Sequence, residues 1–310
     1  MDRAAKQAER QRVARQQALH RQAHLDASAS AAAEYEDIVE ALTGAHRVPR
    51  SRIDWLTTST AREVAVPERQ SILEDAAASK FAGYVPGWFA RTFGREQKVR
   101  DQLADEVLAA RAQDDDAHSK AVAAAGARNS QIAAARRVVD RDPDAMVEAL
   151  EDHSALGSLP FSVEGVDTLL LDGRTIAIVD GLDLEDMPEE SVSLLKSGKA
   201  SIKDLTVGKR LEMHRDAICS AAIRVAVEFL AVLPIDEVEV LMLTDILDRG
   251  TGHIQSAPVL HLRATSQALA VLNLSRTQAV AVAERLGGHM DWSKRDGFRA
   301  INAAAMGVNL

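Results

Sequence analysis

Residues 217–233 constrain this chain more than any other stretch. They are its most apolar run, 17 residues long, yet Arg224 and Glu228 stand near the middle. A helix that is apolar on most sides must be covered on most sides, by a domain core or by a bilayer. A spanning helix needs about 20 apolar residues and disfavours charges at its centre. The run is too short and too charged for that. It predicts a buried helix, extended back to Val207 and closed by Pro234, with Leu211, Ile218, Ala222, Val225 and Phe229 along one face.

The residues around this helix have a strand-like texture. Runs at 161–166, 168–171 and 175–179 are short and rich in branched side chains, bounded by Asp172-Gly173 and Asp180-Gly181. An Asp-Gly pair between two such runs signals a β-hairpin. Further strands are expected at 238–243 and 259–262, joined by a polar loop with Gly250 and Gly252. Ser275 is read as the cap of a final helix reaching Leu286, with Val280 and Val282 buried. Strands with helices between them, but no regular βαβ alternation, predict an α+β fold with a mixed sheet. This domain is expected to occupy 141–310, opening at Asp142-Pro143, an N-cap followed by proline in the first helical position.

The N-terminal half reads as long helices. Alanine is abundant and aromatics make up only 4% of the chain, which favours helix because alanine loses no side-chain entropy there. Residues 2–43 are expected to be helical. Tyr35, Ile38, Val39 and Leu42 recur at helical spacing and Gly44 is the stop. The beginning of this arm (1–44) is polar nearly all round. A connector follows at 45–67, where Pro49, a Thr/Ser cluster and Pro67 interrupt helix and Ile53, Trp55 and Leu56 are expected to dock. A helix over 68–80, an irregular tip at 81–95 and a second helix over 95–139 predict an antiparallel hairpin or coiled-coil region at 68–140. The second helix carries a stripe of Val99, Leu103, Val107 and Ala110. Unbroken, it would reach roughly 67 Å; the run of three aspartates from Asp114 and Gly126 are places where it could bend.

Charge and cysteine usage narrow the classes. Residues 1–140 hold 21 Lys+Arg against 20 Asp+Glu, whereas 141–310 hold 16 against 26. The acidic half lacks the basic face that supplies non-specific affinity for duplex nucleic acid. Cys219 is the only cysteine, so no disulfide forms within the chain and a reducing compartment, the cytoplasm, is expected. The first residues lack the apolar stretch of a signal peptide.

Five of the 11 aromatics, Phe81, Tyr84, Trp88, Phe89 and Phe93, lie in 15 residues beside Arg91 and Arg95. Large apolar groups next to cations at a hairpin tip fit a docking surface for a protein or a membrane interface. Packing of the tip against the C-terminal domain is the competing expectation. The basic N-terminal residues, Arg10, Arg12 and Arg15 among them, could contact nucleic acid or anionic lipid. Lys196, Lys199 and Lys203 surround Gly198, but a phosphate loop needs an earlier glycine where Ser193 stands and a hydroxyl where Ala200 stands. A basic surface turn leading into a strand is the plainer expectation. Asp167, Asp172, Asp180 and Glu190 could supply a metal-dependent nuclease, without the Glu-x-Lys that such a core places on a strand. His214 and Cys219, five residues apart on one helix, do not face each other. His253, His261 and His289 lack metal-ligand spacing. No catalytic residue, metal or cofactor is assigned.

The segment from Ser193 through Lys196-Ser-Gly-Lys199 to Lys203, the helix with Leu211, Cys219 and Arg224, and Leu233-Pro234 together resemble a C-terminal module shared by a family of uncharacterised bacterial proteins. Thr251-Gly-His253, the stretch from Gly288 through Trp292 and Lys294 to Gly297-Phe298, and the tip ending Phe93-Gly94-Arg95 extend the resemblance over about 70–300. It implies a shared fold and no particular activity. The expectation is therefore a non-enzymatic interaction or scaffold protein that binds a protein partner or itself through its helical region. The alternative is a nucleic-acid-associated factor or divergent metal-dependent nuclease, of the kind a bacterial defence system would use.

Overall fold

The apolar run becomes the axis of the larger of two units. The computed structural model describes residues 2–88, 95–158, 163–171, 173–247 and 250–308, with the backbone alone for 2–21, 158 and 164. One unit comprises 1–53 and 146–310, the other 54–145. The division is not the linear one expected: it cuts the 45–67 connector, and the N-terminal arm belongs with the sheet.

In the larger unit, α1 (Asp2–Thr43) ends at Gly44, as its sequence foretells. Its last turns explain why it joins the sheet unit. Leu42 forms one buried cluster with Leu182, Met187 and Ala217, and the Ile53 N–H donates to the Ala231 carbonyl at 2.7 Å. Of the expected stripe Leu42 is buried and Tyr35 and Val39 are half-buried, but Ile38 is exposed, and Ala32 is buried as well.

The main sheet has six strands in the order β1-β2-β5-β6-β7-β8. These are β1 (Val163–Leu171), β2 (Arg174–Gly181), β5 (Glu237–Leu247), β6 (Ile254–Thr265), β7 (His289–Ser293) and β8 (Gly297–Arg299). Only β2 and β5 are parallel; the other neighbours are antiparallel. The expected hairpin is there, with β1 and β2 turning at Gly173, whose φ of 82° suits glycine. A second sheet, β3 (Glu190–Leu194) and β4 (Ala200–Asp204), stands apart from the main one.

A short helix, α5 (Pro143–His153), precedes β1, and the Asp142 carboxylate accepts from its Ala145 N–H at 2.9 Å. The long helix α6 (Val207–Val232) carries the chain from β4 to β5 and packs on one face of the main sheet. Thr206 caps its start, its side chain accepting from the Lys209 N–H. The opposite sheet face is covered near Ile176 and Leu241 by Ile301, Ala303 and Val308 of the C-terminal segment.

Arg224 and Glu228, one turn apart on α6, are both buried and form an ion pair. Both have further partners: an Arg224 Nη donates to the Val48 carbonyl at 2.6 Å, while Nε of the same guanidinium has no partner among the described residues. Glu228 accepts from the Ala155 N–H at 3.1 Å and pairs with Arg50 at 3.2 Å. The charges that excluded a membrane span thus pin the connector and the 155 loop to the helix. Among the described residues, no helix is long and apolar enough to cross a membrane.

Two short helices follow β6, α7 (Ser266–Ala270) and α8 (Ala279–Arg285). Ser275 does not cap the latter: it sits in a single turn at Leu274–Arg276, and its hydroxyl donates to the Asn273 side chain at 2.7 Å.

The smaller unit contains α2 (Trp55–Ser59), α3 (Ile72–Ala82) and α4 (Glu96–Val139), and its first helix belongs to none of the expected elements. Trp55 is buried while Leu56 is exposed. Side-chain pairs run in opposite order along the two limbs: Arg136 with Glu63, Asn129 with Val64, Asp115 with Arg69, and Glu106 with Lys80. The limbs are therefore antiparallel, and the expected helical hairpin is present. α4 continues through both suspected bends. Asp114 is turned inward, where its carboxylate accepts from the Leu73 and Glu74 N–H groups at 3.3 and 2.9 Å. It caps the first turn of α3 from across the hairpin, satisfying donors that a helix start leaves open.

Candidate functional site

Two features of the described residues offer surfaces on which a ligand or partner could act. The first is the hairpin tip. Phe81, Val85 and Trp88 are 41%, 76% and 70% exposed, and Tyr84 is half-buried. Arg95 and Lys98 follow, both exposed and without an ion-pair partner among the described residues. Phe89, Arg91 and Phe93 lie outside the described residues.

The second is a cleft of about 480 Å³ in the sheet unit. It opens beside the carboxyl ends of the parallel strands β2 and β5 and the first turns of α6, where α/β units commonly hold ligands. Leu184 and Glu185 follow β2; Asp245, Ile246 and Leu247 end β5; Ile254 and Gln255 begin β6. Leu211 and His214 come from α6, and residues 296–300 from the β7–β8 hairpin.

The β7–β8 hairpin is fixed to α6 by a ladder of contacts. Lys294 pairs with Glu212 at 2.7 Å, and the Arg215 guanidinium lies 4.3 Å from the centre of the Trp292 ring. The Phe298 ring meets His214 edge-on, 5.4 Å between centroids. Gly297 has a φ of 75°, and a Cβ there would stand 2.7 Å from a Leu211 methyl. The opposite wall is latched by Asp183, whose carboxylate accepts from the Thr244 hydroxyl at 2.9 Å and the Asp245 N–H at 2.7 Å.

His214 is 3% exposed. Its Nε2 lies 2.8 Å from the Leu182 carbonyl. A carbonyl only accepts, so Nε2 carries the proton and Nδ1 presents a lone pair. Nδ1 has no hydrogen-bond partner among the described residues. Burial holds the imidazole below its usual pKa, against the opposing pull of the Leu182 carbonyl and the Asp183, Glu185 and Asp186 charges. Asp245 is pushed up, by desolvation first and then by Asp183, Asp180 and Glu185.

The other candidates disperse. Lys196 and Lys199 flank the β3–β4 turn and Lys203 lies on β4, all exposed; this is the basic surface turn. Asp167 and Asp180 are diagonal neighbours on one face of the main sheet, while the lysines belong to the separate β3–β4 sheet. Asp172 lies outside the described residues, and so do the side chains of Arg10, Arg12 and Arg15. Among the described residues, no three His, Cys, Asp or Glu side chains are grouped to hold a metal ion. Cys219 is fully buried and its thiol is pushed up to about 12, chiefly by desolvation, which keeps it an unreactive core residue.

Comparison of the chain with protein-family models, curated proteins and solved structures gives no match.

Proposed function

We propose that this chain is a non-enzymatic cytoplasmic interaction protein whose helical hairpin presents a docking tip to a partner protein. The observation that carries this reading is the exposure of Phe81, Val85 and Trp88 within one short segment. Monomeric surfaces scatter large apolar groups singly, and a cluster marks a binding site. Tryptophan and arginine are also the residues most enriched among interface hot spots. The adjacent Arg95 and Lys98 select the partner's chemistry, an apolar groove rimmed by carboxylates. Coiled-coil pairing of the long helices with another chain belongs to the same reading.

The test is affinity capture by the full chain beside its Trp88→Ala and Arg95→Glu variants, with light scattering on each. Trp88→Ala is expected to weaken capture at least about thirtyfold, the scale of a hot spot of 2 kcal/mol. Arg95→Glu should weaken it and remove its salt dependence. A molar mass that falls to the monomer's in Trp88→Ala would identify the partner as a second copy. Unchanged partners and unchanged mass in both variants would refute the reading.

A further inference from the structure

The cleft in the sheet unit pairs hydrogen-bond acceptors with apolar walls. His214 is the buried acceptor: its Nε2 proton is committed to the Leu182 carbonyl, and Nδ1 is left with a lone pair. The ring is almost wholly enclosed and lines the cleft, so a donor on a ligand there can meet this lone pair. Glu185 and Asp245 line the same cavity, and neither carboxylate has a hydrogen bond or ion pair among the described residues. Asp296 is different, engaged by Arg299 at 3.2 Å and by Ser293. Arg299 is also shared with Asp291 at 3.7 Å, so the cation on the wall is already matched. The lining carries three carboxylates against one guanidinium.

The apolar part of the lining is Leu184, Leu211, Ile246 and Phe298, and at one edge Leu247 and Ile254 face each other in register. Both are more than half exposed. An uncovered aliphatic pair beside a cavity is what a hydrocarbon stem would cover.

We propose that this cleft binds the end of an aliphatic organic cation, with its ammonium or guanidinium between the carboxylates of Glu185 and Asp245 and its stem against Leu211 and Phe298. A donor on the ligand meets Nδ1 of His214. The neutral state that burial imposes on this imidazole keeps that lone pair available. The same chemistry is offered by a lysine or arginine side chain of a polypeptide and by a free aliphatic amine.

The experiment is calorimetric titration of the full chain with 1-aminopentane, 1-pentanol and pentanoate, then with Nα-acetyl-lysine methylamide. The His214 ring nitrogens are followed by NMR. The amine is expected to bind saturably and to shift Nδ1, while the alcohol and the acid bind at least about tenfold more weakly, the worth of one charge-assisted contact. Asp245→Asn, an exposed substitution that leaves the core intact, should reduce amine affinity roughly tenfold. Tighter binding of the lysine derivative than of 1-aminopentane would point to a polypeptide source, and the reverse to a free amine. Equal binding of all three five-carbon probes, no saturable binding of any amine, or amine affinity unchanged in Asp245→Asn would overturn the proposal. Trp88→Ala lies in the other unit, so it should leave amine binding unchanged.

Discussion

The two units solve the same problem, covering a long helix, in opposite ways. α6 is buried around nearly its whole circumference, including the polar Ser220, Arg224 and Glu228. α4 is 44 residues long, yet only Leu103, Asp114, Ala125, Ile132, Ala135 and Val138 are buried. A helix covered on every side must satisfy each polar group internally, and its sequence is constrained at every turn. A helix covered along one stripe leaves most of its side chains in water, and its stability rests on a single layer of contacts. The difference matches the two proposals: the sheet unit encloses a shaped cavity, while the hairpin unit, with its thinner core, ends in an apolar tip.

Glu228→Ala tests this most severely. It would leave Arg224 buried without its anionic partner, and removing one member of a buried pair costs about 3–5 kcal/mol. Urea unfolding should show a loss of that size. A loss below about 1 kcal/mol would mean that water reaches the pair and that the helix is not sealed.

Equal truncations in the two units sharpen the contrast. Ile223 on α6 and Ile132 on α4 are both fully buried. Ile223→Ala should cost about 4 kcal/mol, because packing on all sides prevents collapse into the cavity. Ile132→Ala should cost about 2 kcal/mol, since a two-limbed hairpin can close over the gap. Equal losses in denaturant titrations would show that the hairpin is as rigid as the sheet unit.

The sheet unit also contains a pH dependence carried by buried histidines. Burial lowers the pKa of His46 and of His214, the former opposed mainly by the Thr277 carbonyl. His46 Nε2 donates to that carbonyl at 3.2 Å, and its Nδ1 accepts from the Ser220 hydroxyl at 2.9 Å. Protonating Nδ1 would set two donors against each other. Folded pKa values below the unfolded value of about 6.5 mean that the unfolded chain binds more protons at acid pH. Stability is therefore full above about pH 6.5 and declines as pH falls below it. Urea midpoints at pH 7.5, 6.5 and 5.5 check this, and His46→Gln should flatten the trend. A midpoint that rises on acidification would contradict the assigned protonation states.

What could be read from the sequence follows the same division. α6 was legible because 17 apolar residues admit few environments, and Arg224 and Glu228 exclude the membrane. The β1–β2 turn and the start of the helix after Asp142 were legible because glycine at positive φ and proline at a helix start are local signals. The β3–β4 pair was half hidden: Lys203 marked a strand after the turn, but nothing around Ser191 and Ser193 marks its partner. The cleft was hidden because α6, β5, β6 and the β7–β8 hairpin contribute to it from distant parts of the chain. Gly297 beside Phe298 was its one local trace, a glycine whose need becomes evident only against Leu211. Asp114 was misread as a breaking point because its partners lie some forty residues earlier, in α3.

That misreading supplies the smallest and most local test. Asp114 accepts from two backbone N–H groups at the start of α3, while the adjacent Ser71 hydroxyl donates to Asp75 instead of capping. Replacing a helix cap by alanine costs about 1 kcal/mol. Asp114→Ala should cost about that much, and amide exchange should quicken at Leu73 and Glu74 while α6 stays protected. Asp114→Asn keeps one acceptor oxygen and should lose less. If neither variant changed exchange in α3, the Asp114 cap would add nothing to the hold between the limbs, which would rest on their apolar stripe and the other pairs across the hairpin.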